Sequence, residues 1–247
     1  MARAPATRPL TPTHYVLVSA IVVIGAVLQG SIGFGLGVFA VPLLLLFAPQ
    51  TVPGPLLASS VVLTMLLTHR ERRDVRWRDL GWAIVGRVFG IALAVLVLAV
   101  VSADRLGLLS GLFVLVAVGI TATGLRLPTR PGVLAVAGLL SGFLGTAVSI
   151  GGPPMALLYQ HETGPSIRGT LSAFFVVGVT MSLIGLAMVG RFGLAEMRLA
   201  ALLIPAVLVG YAVSRRLARI LDRGYLRPAI LIMSALTSAI VIARQVF

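Results

Sequence analysis

Six long apolar segments with almost no charged residues constrain this chain more than any other feature. An α-helix needs about 20 apolar residues to cross a bilayer, and segments 52–67, 80–101, 106–125, 170–189, 197–213 and 225–242 approach or reach that length. Of the 247 residues, 58% are hydrophobic and only 11% are charged. Because a soluble domain carries about twice that charged share, the sequence predicts an all-α polytopic membrane protein.

Two further apolar segments are interrupted by glycine and proline. Segment 15–48 contains residues 30–37 (GSIGFGLG), and segment 133–162 contains residues 151–154 (GGPP). Each glycine lowers helix propensity by about 1 kcal/mol and proline removes a backbone donor, so we expect both segments to break near their middle. The second arms would begin near residues 37–38 and 153–154. Because about ten helical residues rise only roughly 15 Å, such short arms favour re-entrant hairpins.

The two interrupted segments match each other at a single offset of 112 residues. The matching pairs are Gly30 with Gly142, Gly33 with Gly145, Pro42 with Pro154, and Ser60 with Ser172. We therefore divide the chain into an N-terminal tail (1–13), a first transmembrane repeat (14–127) and a second transmembrane repeat (128–247). Each repeat consists of a broken, re-entrant helix followed by three transmembrane helices.

The arginines indicate how the two repeats are oriented. If each interrupted segment is a hairpin, every repeat crosses the bilayer three times and the repeats are inverted. One face then receives 13 arginines, which are Arg70, Arg72, Arg73, Arg76, Arg78, Arg126, Arg130, Arg168, Arg215, Arg216, Arg219, Arg223 and Arg227. The other face receives Arg3, Arg8, Arg105, Arg191, Arg198 and Arg244. Because arginine-rich loops face the cytoplasm, both termini would lie outside. A single crossing per interrupted segment would make the repeats parallel, and that alternative stays open.

Several function classes find no support in the sequence. The net charge of +13 comes from arginines in short runs between apolar segments, a pattern typical of loops facing anionic lipid rather than nucleic acid. The chain has no cysteine, and its three histidines lack ligand spacing, so we expect no metal and no cofactor. Neither a Walker motif nor a catalytic dyad lies in the apolar segments. The sequence therefore predicts neither ATP coupling nor an enzyme.

Paired broken helices in two repeats point to a transport site near the midplane of the bilayer. The start of each second arm would present backbone N–H groups and the positive end of a helix dipole, which suits an anion. Glycines would let the ligand approach the backbone, while hydroxyl and amide side chains would add donors. The predicted substrate-binding residues are Gln29, Ser31, Gly33, Gly35, Gly37, Pro42, Ser60, Arg87, Gly145, Thr146, Ser149, Gly151, Gly152, Pro153, Pro154 and Ser172. A role of these glycines in helix packing alone is the competing interpretation.

Arg87 is the one charged residue placed well inside an apolar segment, 80–101. An ionisable residue inside a membrane is a functional candidate, here as the counter-charge of an anion. Alternatively, Arg87 lies within reach of the segment's end and extends to the surface. The sequence leaves both interpretations open.

The two interruptions carry a resemblance to a known family. Residues 30–42 (GSIGFGLGVFAVP) and residues 142–154 (GFLGTAVSIGGPP) each join a glycine-rich break to a proline, and each half has four apolar segments. In these features the chain resembles the sulfite exporter TauE/SafE family of membrane permeases over about residues 14–243. Gly35, Gly37 and Pro42 match the family's first motif, and Gly151, Gly152 and Pro154 match its second. The first motif departs from the usual run of consecutive glycines, and the second carries Ser149 and Ile150 before its glycines.

This resemblance implies transport of a small sulfur-containing or organic anion, such as sulfite or a sulfonate, across the bacterial inner membrane. We expect a multi-pass secondary transporter, an exporter, that uses alternating access around the two breaks, with a small anion and the lipid bilayer as its partners. A passive anion channel is the main alternative, and a structural subunit is another. Coupling to protons or other ions, and a homodimer, stay open.

Overall fold

The computed structural model describes residues 12–100, 112–113, 115–116, 119, 128–159 and 162–221. These parts of the chain contain no β-strand. The α-helices whose bounds these parts define are α1 (Pro12–Ile32), α2 (Leu36–Phe47), α3 (Gly54–Arg70), α4 (Trp77–Val100), α5 (Pro131–Val148), α6 (Gly152–Tyr159), α7 (Gly164–Met188) and α8 (Leu194–Leu221). A single turn of 3₁₀ helix, Pro49–Thr51, precedes α3. The predicted segment 225–242 and most of segment 106–125 lie outside the described residues.

Five of these helices, α1, α4, α5, α7 and α8, are long and apolar enough to cross a membrane. Helix α3 has 17 residues, at the lower limit of a spanning helix. The predicted all-α polytopic membrane fold is therefore confirmed. One difference concerns α1 and α5, which the sequence treated as first arms of interrupted segments. With 21 and 18 residues, each is long enough to span a bilayer by itself.

Both interrupted segments break where glycine and proline predict. Residues 33–35 separate α1 from α2, and we call them the first break. Residues 149–151 separate α5 from α6, and we call them the second break. The second arms begin at Leu36 and Gly152, one or two residues earlier than the sequence indicated. Gly30, Gly142 and Gly145 stay inside helices, so only part of each glycine cluster interrupts the backbone.

Glycines allow neighbouring helices to approach closely, and their contacts show the helix directions. A Cβ atom at Gly86 or Gly90 in α4 would overlap the backbone of Ala135 or Leu139 in α5, so these two helices run parallel. Helices α1 and α8 also run parallel, because the start of α1 faces the first half of α8 and the end of α1 faces its second half. Tyr15 Oη donates a hydrogen bond to the Leu202 carbonyl at 3.1 Å, and Gly30 packs against Ser214.

Helices α3 and α7 run in opposite directions. A Cβ atom at Gly54, where α3 begins, would lie 3.0 Å from the Phe192 ring just beyond the end of α7. At the other end of α3, Glu71 accepts a hydrogen bond from Arg168, which lies in the second turn of α7. This antiparallel pair contacts both breaks: Gly33 packs against Arg168 in α7, and Ser149 Oγ donates to the Pro53 carbonyl just before α3 at 3.0 Å.

Candidate functional site

The two breaks contact each other in the folded chain. A Cβ atom at Gly37, in the first turn of α2, would overlap the carbonyl oxygen of Ser149 in the second break. A Cβ atom at Gly152, where α6 begins, would lie 2.9 Å from the Phe34 Cβ. Real Cβ atoms do not approach that closely, so glycine is required at both positions for the breaks to meet.

A small cavity of about 40 Å³ lies where the breaks meet. Nine of the residues that sequence reasoning selected line this cavity, and they are Gln29, Gly35, Gly37, Ser60, Arg87, Gly145, Ser149, Gly151 and Gly152. They come from α1 to α5, the two breaks and the start of α6. The fold therefore gathers into one cavity residues that are separated by more than 100 positions in the chain.

Seven other selected residues do not line the cavity, and they are Ser31, Gly33, Pro42, Thr146, Pro153, Pro154 and Ser172. Gly33 adopts a φ of 101° and packs against the backbone of α7. Thr146 and Ser182 share a hydrogen bond of 2.8 Å between their hydroxyl oxygens. The hydroxyls of Ser31 and Ser172 are buried and have no hydrogen-bond partner in the described part of the chain.

Sequence reasoning missed the apolar part of the wall, together with one threonine. The missed residues are Phe34, Leu36, Val38, Leu56, Leu57, Thr64, Ile150, Phe175 and Val179. Helical spacing contained a signal for some of them: Leu56, Leu57 and Thr64 lie one turn from Ser60 on the same face of α3. By the same spacing, α7 reaches the cavity through Phe175 and Val179, one and two turns beyond Ser172.

Arg87 is buried, with 1% of its surface exposed, and it lines the cavity beside Gly145, where a Cβ atom would lie 3.4 Å from the Arg87 Nη2. Its Nη1 donates a hydrogen bond to Ser141 Oγ at 3.1 Å. Its Cζ lies 4.6 Å from the centroid of the Phe174 ring and 5.6 Å from that of Phe175. Because α5 and α7 cover this side chain, the alternative in which Arg87 extends to the membrane surface is wrong.

The positive charge of Arg87 has no carboxylate partner among the described residues. Its Nε also lacks a hydrogen-bond acceptor within the ranges that the structure describes. A buried charge without a counter-charge is costly to the fold. No Asp or Glu lines the cavity in the described parts of the chain.

Two glycines that the sequence did not select as site residues make room for Arg87. A Cβ atom at Gly178 in α7 would overlap the Arg87 guanidinium group. A Cβ atom at Gly142 in α5 would overlap the Arg87 carbonyl oxygen and lie 3.0 Å from its Cγ. These contacts show that α5 and α7 are shaped around one arginine.

The first turns of α2 and α6 differ in the donors that they present. The Phe39 N–H is bonded to the carbonyl of Gly35 at 2.9 Å, so the preceding N–H groups of Leu36 and Gly37 have no intrahelical acceptor. The N-cap residue of α2 is Gly35, which has no side chain to accept a hydrogen bond from these groups. In α6, the residues after Gly152 are Pro153 and Pro154, which have no N–H. The start of α6 therefore offers fewer backbone N–H groups than the start of α2, whereas the sequence predicted such groups at both.

Charged side chains stabilise the end of α1 just before the first break. Arg70 Nη2 donates to the Gly30 carbonyl at 2.7 Å, and Arg168 Nη1 donates to the Ser31 carbonyl at 3.0 Å. Glu71 Oε1 accepts from Arg70 Nε at 2.9 Å and from Arg168 Nε at 3.1 Å. We call these three side chains the Glu71 network. Cations at a helix C-terminus are favourable, and Glu71 balances part of their charge.

The family described as "Sulfite exporter TauE/SafE" matches residues 17–241, nearly the whole chain. No curated protein and no solved structure matches this chain.

Proposed function

Because this chain belongs to the sulfite exporter TauE/SafE family, we propose that it is a secondary transporter that exports sulfite or a related small anion from the bacterial cytoplasm. The family consists of membrane transporters for sulfite or related anions and not of enzymes, and five apolar helices make the chain a multi-pass membrane protein. The proposal adds the substrate, the direction, the bacterial inner membrane and the site. It locates the site in the cavity between the two breaks.

The buried, uncompensated guanidinium of Arg87 is the observation that carries this proposal. An oxyanion in the cavity would accept charge-assisted hydrogen bonds from Arg87 on one side. From the other side, the N–H groups of Leu36 and Gly37 would point towards it, together with the positive end of the α2 dipole. Gly152 would add one further backbone donor. The anion would thus exchange its hydration water for hydrogen-bond donors held in place by the protein. The arginine would gain the counter-charge that the described residues do not supply.

The size of the cavity favours a very small substrate. One water requires roughly 10–15 Å³ of such space, so a cavity of about 40 Å³ holds about three atoms of that size. Sulfite, with one sulfur and three oxygens, is close to this limit. A sulfonate with a carbon chain would require the cavity to open along its apolar wall, where Phe175 and Val179 lie.

The helix directions support two inverted repeats, residues 14–127 and 128–247. At the offset of 112 residues, α3 corresponds to part of α7, and these helices run antiparallel, as inversion requires. The Arg70 side chain at the end of α3 contacts Gly30 near the end of α1, so both helices end at one level. The chain between them must return, which favours a hairpin formed by α1 and α2. Alternating access would then move one repeat against the other around the cavity.

Uptake of radiolabelled sulfite into proteoliposomes, under anaerobic conditions that prevent its oxidation, tests this function. We expect saturable counterflow that excess unlabelled sulfite suppresses and that sulfonates inhibit more weakly. Gly152→Leu should abolish uptake, because its side chain would collide with Phe34 and fill the cavity. Gly132→Leu is the matched control, because a Cβ atom there meets nothing within 4 Å, and it should transport normally.

Two outcomes would contradict the proposal. Normal flux through Gly152→Leu would remove the contact between the breaks from the substrate path. A voltage-dependent current that does not saturate with sulfite would instead identify a passive anion channel. Imposed gradients of pH and of sodium across the same vesicles would show which ion, if any, drives transport.

A further inference from the structure

A single buried hydroxyl, that of Ser141 in α5, connects Arg87 to the second break. Ser141 Oγ accepts the hydrogen bond from Arg87 Nη1 at 3.1 Å and donates one to the Gly151 carbonyl at 2.5 Å. A serine hydroxyl has only one proton. Because that proton is donated to the Gly151 carbonyl, a lone pair of the Ser141 oxygen accepts the hydrogen bond from the Arg87 guanidinium.

Ser141 is the only hydrogen-bond partner of the Arg87 guanidinium among the residues that the structure describes. The Phe174 and Phe175 rings restrict the plane of the guanidinium, and Gly178 leaves room for Nε without binding it. Rotation within that plane is limited by the bond to Ser141. The direction in which the remaining N–H groups face the cavity therefore depends on this hydroxyl.

The same hydroxyl acts on the other side of the site. Gly151 lines the cavity, and the partial negative charge of its carbonyl, just before the first turn of α6, would repel an anion there. By donating to this carbonyl, Ser141 reduces that repulsion and holds the second break in place. Chains of hydrogen bonds that run from a cation through a hydroxyl to a carbonyl strengthen one another.

We propose that Ser141 is a positioning residue for the transported anion, which it does not contact: it aims Arg87 at the cavity and ties that arginine to the Gly151 carbonyl. The inference rests on the proposed function, since it assigns Ser141 a role in the same anion site. A shift of the second break during transport would move Ser141 and with it the arginine. One hydroxyl thus links the affinity for the anion to the position of the break.

The test compares the KM and the Vmax of sulfite counterflow in proteoliposomes for a set of variants. Ser141→Ala removes one oxygen without adding volume, and we expect its KM to rise about tenfold while Vmax changes little, as for the loss of a hydrogen bond to a charged group. Ser141→Cys keeps a weaker donor and acceptor, so its KM should lie between that of the unmodified protein and that of Ser141→Ala. Ser59→Ala is the matched control: among the described residues this buried serine donates to the Leu56 carbonyl of its own helix alone, and the KM of this variant should stay unchanged.

Combining Ser141→Ala with Arg87→Gln separates positioning from a structural role. If Ser141 acts through Arg87, the serine change should raise KM less than twofold once the arginine is gone. An equal effect in both backgrounds, or a fall in Vmax with unchanged KM, would overturn the inference and leave the proposed function intact. Absence of saturable sulfite uptake by the unmodified protein would overturn the proposed function and this inference together.

Discussion

The first and second breaks occupy corresponding positions in the sequence but are built from different chemistry. The first break reverses the chain with Gly33 and Gly35, whose φ angles are 101° and 132°, and the helix that follows begins with backbone donors. The second break reverses it with Ser149, at a φ of 61°, and its helix begins with Gly152 and then two prolines that have no N–H. Arg87 lies beside the second break.

Under the proposed function, the Arg87 side chain beside the second break would play the role that backbone N–H groups play at the first. An anion between the breaks would meet a helix dipole on one side and a guanidinium on the other. The preceding helices differ as well. The end of α1 is capped by the Glu71 network, whereas α5 ends in its own backbone bond from the Ser149 N–H to the Gly145 carbonyl at 2.9 Å. The first break is therefore anchored by charged side chains, and the second by hydrogen bonds of neutral groups, among them the one from Ser141 Oγ to the Gly151 carbonyl.

Arg87→Gln removes the charged hydrogen-bond donor that lies beside the second break, and it should have the largest effect on sulfite affinity. We expect sulfite affinity to fall about 100-fold, because truncating one partner of a buried charge pair costs on the order of 2–5 kcal/mol. Equilibrium binding of sulfite to the purified protein would measure this loss. The melting temperature without anion should stay level or rise, because glutamine needs no counter-charge.

Arg73→Gln is the control for this change, because Arg73 is an exposed arginine in the loop after α3. Its sulfite affinity should equal that of the unmodified protein. If both variants bound sulfite equally well, the counter-charge role of Arg87 would be excluded. The donors of the first break would then carry the site alone.

Gly37→Ala tests the backbone contact on the side of the first break. The added methyl group would overlap the Ser149 carbonyl oxygen, and overpacking of this kind costs about 1–3 kcal/mol. We expect the breaks to separate and sulfite uptake to fall about tenfold. Gly81→Ala, at a helical position with nothing within 4 Å, should transport at the normal rate. Normal uptake by Gly37→Ala would mean that close contact between the breaks is dispensable.

The sequence predicted the fold class and both breaks, because long apolar segments and glycine or proline act locally on the backbone. It could not decide the position of Arg87, because distance along the chain does not show whether α5 and α7 cover a side chain. Phe175 and Val179 were missed for a similar reason. In a membrane protein, apolar residues that face a cavity resemble those that face lipid, and only tertiary contacts separate them. Ser141 and Gly178 were not selected because only their contacts with the Arg87 side chain connect them to the site, and those contacts are tertiary.

Glu71→Gln tests the electrostatic anchor before the first break. Without Glu71, Arg70 and Arg168 lose their shared carboxylate and face each other beside the end of α1. The side chains of this network are 7–16% exposed, so we expect a loss of about 2 kcal/mol, below the 3–5 kcal/mol of a fully buried pair. The melting temperature should fall by roughly 4–8 °C. Asp74→Asn, at an exposed position in the same loop, is the control and should melt within about 1 °C of the unmodified protein. If both variants lowered the melting temperature equally, the stabilisation would come from the net charge of the loop and not from the Glu71 network.

Pro153→Ala makes the second break more like the first and should have the smallest effect. It adds one N–H to the first turn of α6, where the helix dipole favours an anion, so sulfite affinity should rise two- to threefold, as expected for a few tenths of a kcal/mol. The gain should be larger in the Arg87→Gln background, because there the added donor compensates for a missing one. The change should also lower stability by about 0.5–1 kcal/mol, since proline restricts the unfolded chain. Binding titrations of the single and double variants would measure both effects. If the added donor changed neither affinity, the difference between the breaks would lie in Arg87 alone, and the prolines would serve only to begin α6.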